Sequence, residues 1–178
     1  MFSQRAQLTW LKSGFRAADD AGRAASVAEF LDLLMKKTIL LVEDSKVQKL
    51  ATERFLLKSG YLVLLAEDGE EGLRLARESI PDLILLDLLL PGIGGEEVLY
   101  ALKRDSLTEP IPVIVVSHLS SANSGTLKAA GAADYFEKSR LLNDREGEAA
   151  FLKLIDSVLR QDSGRNKAAS ELPVAAPR

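Results

Sequence analysis

Five polar residues stand out because each lies at the end of a short strand-like segment. Glu43 and Asp44 follow "TILLV", Asp87 interrupts "LILLDLLL", Ser117 ends "IPVIVVS" and Lys138 ends "DYFEK". A carboxylate inside an apolar run is costly to bury unless something pairs with it. Three carboxylates brought together repel, and one lysine offsets only part of that repulsion. A hard divalent cation such as Mg²⁺ resolves the excess, because it takes carboxylates, carbonyl oxygens, waters and phosphate oxygens. The chain has no cysteine and one histidine, His118, so no nitrogen and sulfur set points to zinc. A carboxylate beside Mg²⁺, with a lysine and a hydroxyl aimed at the same point, is a nucleophile suited to phosphorus. Its product is an aspartyl phosphate, and the cation and Lys138 neutralise charge on the transferring oxygens.

Such a set needs elements that carry all five residues to one rim. "TILLV" (38–42), "YLVLLA" (61–66), "DLILLD" (82–87), "IPVIVVS" (111–117) and "DYFEK" (134–138) read as short strands, the first a continuous apolar run of the kind buried on both faces. Between and after them lie helical segments. The first runs from a Ser45 cap to Ser59, with Gly60 at C′ and apolar positions at Val47, Leu50, Ala51, Phe55 and Leu57. The second is "GEEGLRLARES" behind an Asp68 cap, the third 95–105, the fourth 121–132 and the fifth 146–161. Five β-α repeats predict an α/β fold, a doubly wound parallel sheet with helices on both faces. Right-handed crossovers favour the flavodoxin-like strand order 2-1-3-4-5. In such sheets ligands bind at the carboxyl ends of the strands, beside the switch between strands 1 and 3. Those ends are where the polar residues fall.

The bulk properties exclude other classes. Net charge is −3, which lacks the basic footprint of a nucleic-acid binder. The absence of cysteine excludes disulfides and thiolate chemistry and fits a reducing compartment. No apolar run reaches membrane-spanning length and the N-terminus lacks the apolar core of a secretory signal; a cytoplasmic protein with no membrane partner is expected. Residues 37–161 form the expected domain, and residues 162–178 are small and polar and read as a disordered tail. Residues 1–36 have two readings. "SVAEFLDLLMKK" has helical spacing, and Met35 opens "MKKTILLVEDS" as a natural start would. "PGIGGEE" matches neither the P-loop nor the dinucleotide fingerprint, so nucleotide binding is not expected.

"ILLVEDS", "LLDLLLPGIGG", "IPVIVVS" and "AADYFEK", in this order, resemble the receiver domain of two-component response regulators, over about 37–161. The resemblance implies a role for each matching position. Asp87 is then the phosphoacceptor. Asp44 is a direct Mg²⁺ ligand with Asp87 and the carbonyl of Leu89, while Glu43 acts on the metal through water. Ser117 bonds the phosphoryl group, Lys138 pairs with it, and Tyr135 is the aromatic that changes rotamer. Pro91 and Gly95 match the loop after the acceptor. Two positions depart from the pattern. His118 stands where the residue is usually very small, and Ser139 stands where proline is usual. His118 and Leu119 border the access route, and the apolar Leu89 and Leu119 are expected to exclude attacking water.

The implied function is a phosphorylated switch, not a classical enzyme, catalysing only its own phosphorylation and dephosphorylation. A histidine kinase or phosphotransfer protein is the donor. The target is a protein, reached through the face of the fourth helix, strand 5 and the last helix, which also suits a homodimer; with no output domain in sight, direct nucleic-acid binding is not expected. Two rivals belong to other classes. A pseudo-receiver would have lost its acceptor or lysine, and both are present. A Mg²⁺-dependent phosphate-ester hydrolase commonly needs an acid two residues after its nucleophile, where this chain has Leu89.

Overall fold

The computed structural model describes residues 35–118, 124–143 and 145–170. The elements alternate as β1 (Thr38–Val42), α1 (Lys46–Lys58), β2 (Leu62–Ala66), α2 (Gly69–Ser79), β3 (Leu83–Leu86), α3 (Gly95–Arg104), β4 (Val113–Ser117), α4 (Ser124–Ala129), β5 (Asp134–Glu137), α5 (Lys138–Asn143) and α6 (Arg145–Ser170). The five strands are parallel and ordered 2-1-3-4-5, as the repeats predict. Among the described residues no helix is long and apolar enough to cross a membrane.

Strand alternation explains why the central strands are runs of apolar residues. Leu40, Val42, Ile84, Leu86, Val113 and Val115 point into one buried layer with α2 and α3. Ile39, Leu41, Leu83, Leu85, Ile114 and Val116 point into the other, with Phe136, Phe151 and Ile155. Phe136 and Phe151 meet with ring centroids 4.7 Å apart, within the range of favourable tilted aromatic pairs. Two apolar layers hold the sheet rigid and leave only its strand ends for polar chemistry.

Local signals operate as expected at several ends. Asp68 Oδ1 accepts from the Glu71 amide at 2.8 Å and caps α2. Gly60 has φ +92°, and the amides of Gly60 and Tyr61 turn back to the carbonyls of Leu57 and Leu56 to close α1.

Four expectations need correction. Ser45 occupies the N-cap position of α1, but its hydroxyl makes no capping bond. The buried face of α1 carries Lys49, Thr52 and Leu56, while Val47 (79 % exposed), Leu50 and Leu57 face outward. The polar rim lies above the start of α1, so an inward Lys49 finds a carboxylate there that an apolar residue would not. Strand 5 ends at Glu137, and Lys138 opens α5, a helix the strand reading overlooks. The last helix passes 161 and continues to Ser170; Arg165, Lys167, Ala168 and Ala169 are good helix formers, and no proline intervenes before Pro173. The N-terminal segment 1–34, Leu119 and residues 171–178 lie outside the described residues.

Two backbone positions generate predictions. A Cβ on Gly95 would collide with the carbonyl of Asp87 and come within 2.6 Å of Leu88 Cα, whereas one on Gly125 meets nothing within 4 Å. Gly95→Ala is therefore expected to lower stability by about 1–3 kcal/mol, with Gly125→Ala neutral or stabilising, as read from urea unfolding midpoints. Ile80 caps α2 at φ 45°, a left-handed conformation that penalises a β-branched residue. Ile80→Gly should raise stability by about 1 kcal/mol, seen as a higher midpoint with an unchanged denaturant slope.

Candidate functional site

The site forms where β1 and β3 end side by side. The Asp87 amide donates to the Val42 carbonyl at 3.1 Å, and the Glu43 amide donates to the Ala66 carbonyl at 3.1 Å. Both ladders thus run one residue past the strands and fix the backbone of both acids. On the far side of β3, the Gly95 amide donates to the Leu88 carbonyl at 3.0 Å. The helix start seats against the turn after Asp87, which only a residue without a Cβ permits.

Lys138 is the centre of the arrangement. Its Nζ lies 2.6 Å from Asp87 Oδ2 and 2.6 Å from Glu43 Oε2. All three side chains are buried. The other oxygen of Asp87 accepts from the Leu89 amide at 3.2 Å, and the other oxygen of Glu43 accepts from the Ser45 amide at 3.2 Å. Each buried carboxylate therefore has both oxygens occupied, as burial of a charge requires. Burial pushes the Glu43 carboxyl above its ordinary range, and the nearby Asp87 charge adds to this, while the hydrogen bond and charge of Lys138 pull the other way.

Asp44 is exposed, yet its carboxylate oxygen falls in one group with those of Glu43 and Asp87, all within 4.8 Å of one another. This donor set is made of hard oxygens alone and carries more negative charge than one ammonium offsets. It fits Mg²⁺ in both chemistry and charge, with Glu43, Asp44 and Asp87 the residues able to hold or orient it. Leu89 follows on the same turn, 58 % exposed.

The remaining expected residues occupy the next two strand ends. Ser117 is the last residue of β4 and is wholly buried. Tyr135 lies on β5, half-buried, and its hydroxyl donates to the Ser117 carbonyl at 3.2 Å; burial, aided by the Glu137 charge, raises its phenol above the ordinary range. Ser139 sits in the first turn of α5 and its hydroxyl donates to Glu137 Oε1 at 2.5 Å. His118 is exposed and its Nε2 lies 3.1 Å from Nε2 of Gln48.

Three residues at the site carry no mark in the sequence. Gln48 and Thr52 line a small pocket with Glu43, Asp87, Lys138 and Leu141. Buried Lys49 pairs with Glu67, just past β2, at 2.6 Å. The signal for these three was the helical register of α1, which its apolar residues point the wrong way.

The comparisons with known proteins agree with this geometry. The family model of the response regulator receiver domain matches residues 39–145. Protein PilH of Pseudomonas aeruginosa is 36% identical over 122 residues, which cover 68% of this chain and 96% of PilH. The polar-differentiation response regulator DivK of Brucella anthropi is 35% identical over 105 residues, 58% of this chain and 85% of DivK. Among solved structures, a CheY-like response regulator receiver domain protein from Methanospirillum hungatei superposes with a TM-score of 0.64 at 26% identity, covering 73% of this chain and 98% of that one. The chain belongs to the response regulator receiver family of two-component signal transduction.

Proposed function

We propose that this chain is a phospho-accepting switch that takes a phosphoryl group onto Asp87 from a phosphohistidine on a kinase or phosphotransfer protein. The observation that carries the reading is the buried Lys138 ammonium held 2.6 Å from both Asp87 and Glu43. The contact fixes the Asp87 carboxylate at the rim, where an oxygen attacks phosphorus as the P–N bond of the donor breaks. Asp44, Asp87 and the Leu89 carbonyl would hold Mg²⁺ directly, with Glu43 acting through water, and the bound cation would neutralise charge on the phosphoryl oxygens. Lys138 follows the transferred group and pairs with one of its oxygens, and the Ser117 hydroxyl donates to another.

Drawing Ser117 toward the phosphoryl group disturbs the contact between its carbonyl and the Tyr135 hydroxyl. Tyr135 then turns inward, and the face built from α4, β5 and α6 changes its preference for a protein partner or for a second copy. Such a change is a population shift between two states, so partner binding and phosphorylation are coupled reciprocally. The protein acts only on itself, in the cytoplasm, with no part for nucleic acid or membrane. Residues 37–161 are the receiver unit in this reading.

Incubation with Mg²⁺ and acetyl phosphate, followed by intact mass, tests the proposal. A stoichiometric phosphate adduct is expected, lost in Asp87→Asn and on removal of Mg²⁺ by EDTA. Lys138→Met should slow its formation on the order of 10²-fold, the usual effect of removing one transition-state charge partner. No adduct on the wild-type chain would indicate a constitutive binding module, and continuous phosphate release with turnover would indicate a hydrolase.

The raised Glu43 carboxyl predicts a pH effect on the metal. A carboxyl titrating above its ordinary range takes up its proton earlier as pH falls. Mg²⁺ affinity by calorimetry should therefore weaken already above the ordinary glutamate range, and Glu43→Gln should remove that early loss.

A further inference from the structure

Gln48 and His118 are 70 residues apart in the chain, yet their side chains meet at 3.1 Å. Gln48 stands on the first turn of α1 and lines the pocket of Asp87 and Lys138. His118 directly follows Ser117 at the end of β4. The contact therefore ties α1 to β4 beside the acceptor, across the edge of a site whose acceptor, lysine and hydroxyl are all buried. The inner end of the Gln48 amide is equally informative. Its oxygen is buried with no hydrogen-bond partner among the described residues, in a pocket lined by Glu43 and Asp87. The two ends of an amide are nearly the same shape. Turned end for end, the amide oxygen accepts the His118 Nε2–H, and no buried acceptor is left alone.

We propose that His118 and Gln48 form a clasp between β4 and α1 that limits passage of phosphoryl donors and water to Asp87, and so sets how fast the acceptor is charged and discharged. The inference rests on Asp87 being the phosphoacceptor. It makes both residues positioning residues: neither touches the reacting atoms, and each acts by holding the other in place. A bulky ring alone would obstruct in whatever rotamer it took; the hydrogen bond to Gln48 selects the rotamer that lies over the edge of the site.

The test follows phosphate adduct on the full chain by intact mass, during charging with acetyl phosphate and Mg²⁺ and after the donor is removed. His118→Ala and Gln48→Ala are each expected to speed both phases by about threefold to tenfold, the scale of one neutral hydrogen bond. The double variant should be no faster than either single one, because the clasp is lost with one partner. His118→Gln, which can still bond the Gln48 amide, should remain near wild type. Val47→Ala, on the exposed side of α1, is the unchanged control. Melting temperatures identify any variant that fails to fold, and Gln48→Met then replaces Gln48→Ala at equal length. Fast kinetics in His118→Ala with Gln48→Ala and Gln48→Met at the wild-type rate would overturn the clasp, leaving only the bulk of the ring. Additive effects, or a fast His118→Gln, would also overturn it. No adduct in any variant would remove the phosphoacceptor reading and the clasp with it, whereas adducts at equal rates in all variants remove the clasp alone.

Discussion

The structure depends on one ammonium shared by two buried carboxylates. Lys138 Nζ sits 2.6 Å from an oxygen of Asp87 and 2.6 Å from an oxygen of Glu43. Without Lys138, two like charges would lie buried side by side, a state that drives at least one carboxyl to protonate. With it, each buried carboxylate has a cation at hydrogen-bond distance, yet this single ammonium still faces three carboxylates once Asp44 is counted. A site left short of positive charge attracts a divalent cation and, with it, the phosphate oxygens such cations carry.

Everything beneath the site serves to hold this geometry. The three charged groups come from the ends of β1, β3 and β5, so no local sequence window could assemble them. Apolar layers on both faces fix the strands in register, and the register fixes the rim. Gly95 lets α3 start against the carbonyl of Asp87, which pins the turn that carries Leu89. Such support allows buried charge to be tolerated at a rim, because the partners cannot drift apart to leave an ion unpaired.

The strand order and the five rim residues were readable in the sequence for the same reason. A parallel sheet covered on both faces gives uninterrupted apolar runs, so a polar residue directly after a run marks a strand end. Helix faces were less legible. In α1 the apolar residues Val47, Leu50 and Leu57 lie outward while Lys49 and Thr52 lie inward, because the rim above α1 rewards polar partners and the usual amphipathic rule assumes an apolar floor. The pairs Lys49–Glu67 and Gln48–His118 follow from that inverted register and were invisible before it was known. Lys138 was placed correctly on the rim, though as a strand end and not as the first residue of a helix. Small polar composition suggests a tail after 161, but the Ala, Lys and Arg content of that segment favours the helix that continues to Ser170.

In the proposed reaction the carboxylate held by Lys138 is the group that becomes phosphorylated. Borohydride reduction of the chain charged with acetyl phosphate and Mg²⁺ addresses it directly, since an acyl phosphate on aspartate is reduced to homoserine while phosphate esters and phosphohistidine are not. Tandem mass spectrometry should find homoserine at position 87 and nowhere else. Homoserine at position 44, or phosphate retained on Ser117 or His118 with Asp87 unreduced, would rule out Asp87 as the acceptor.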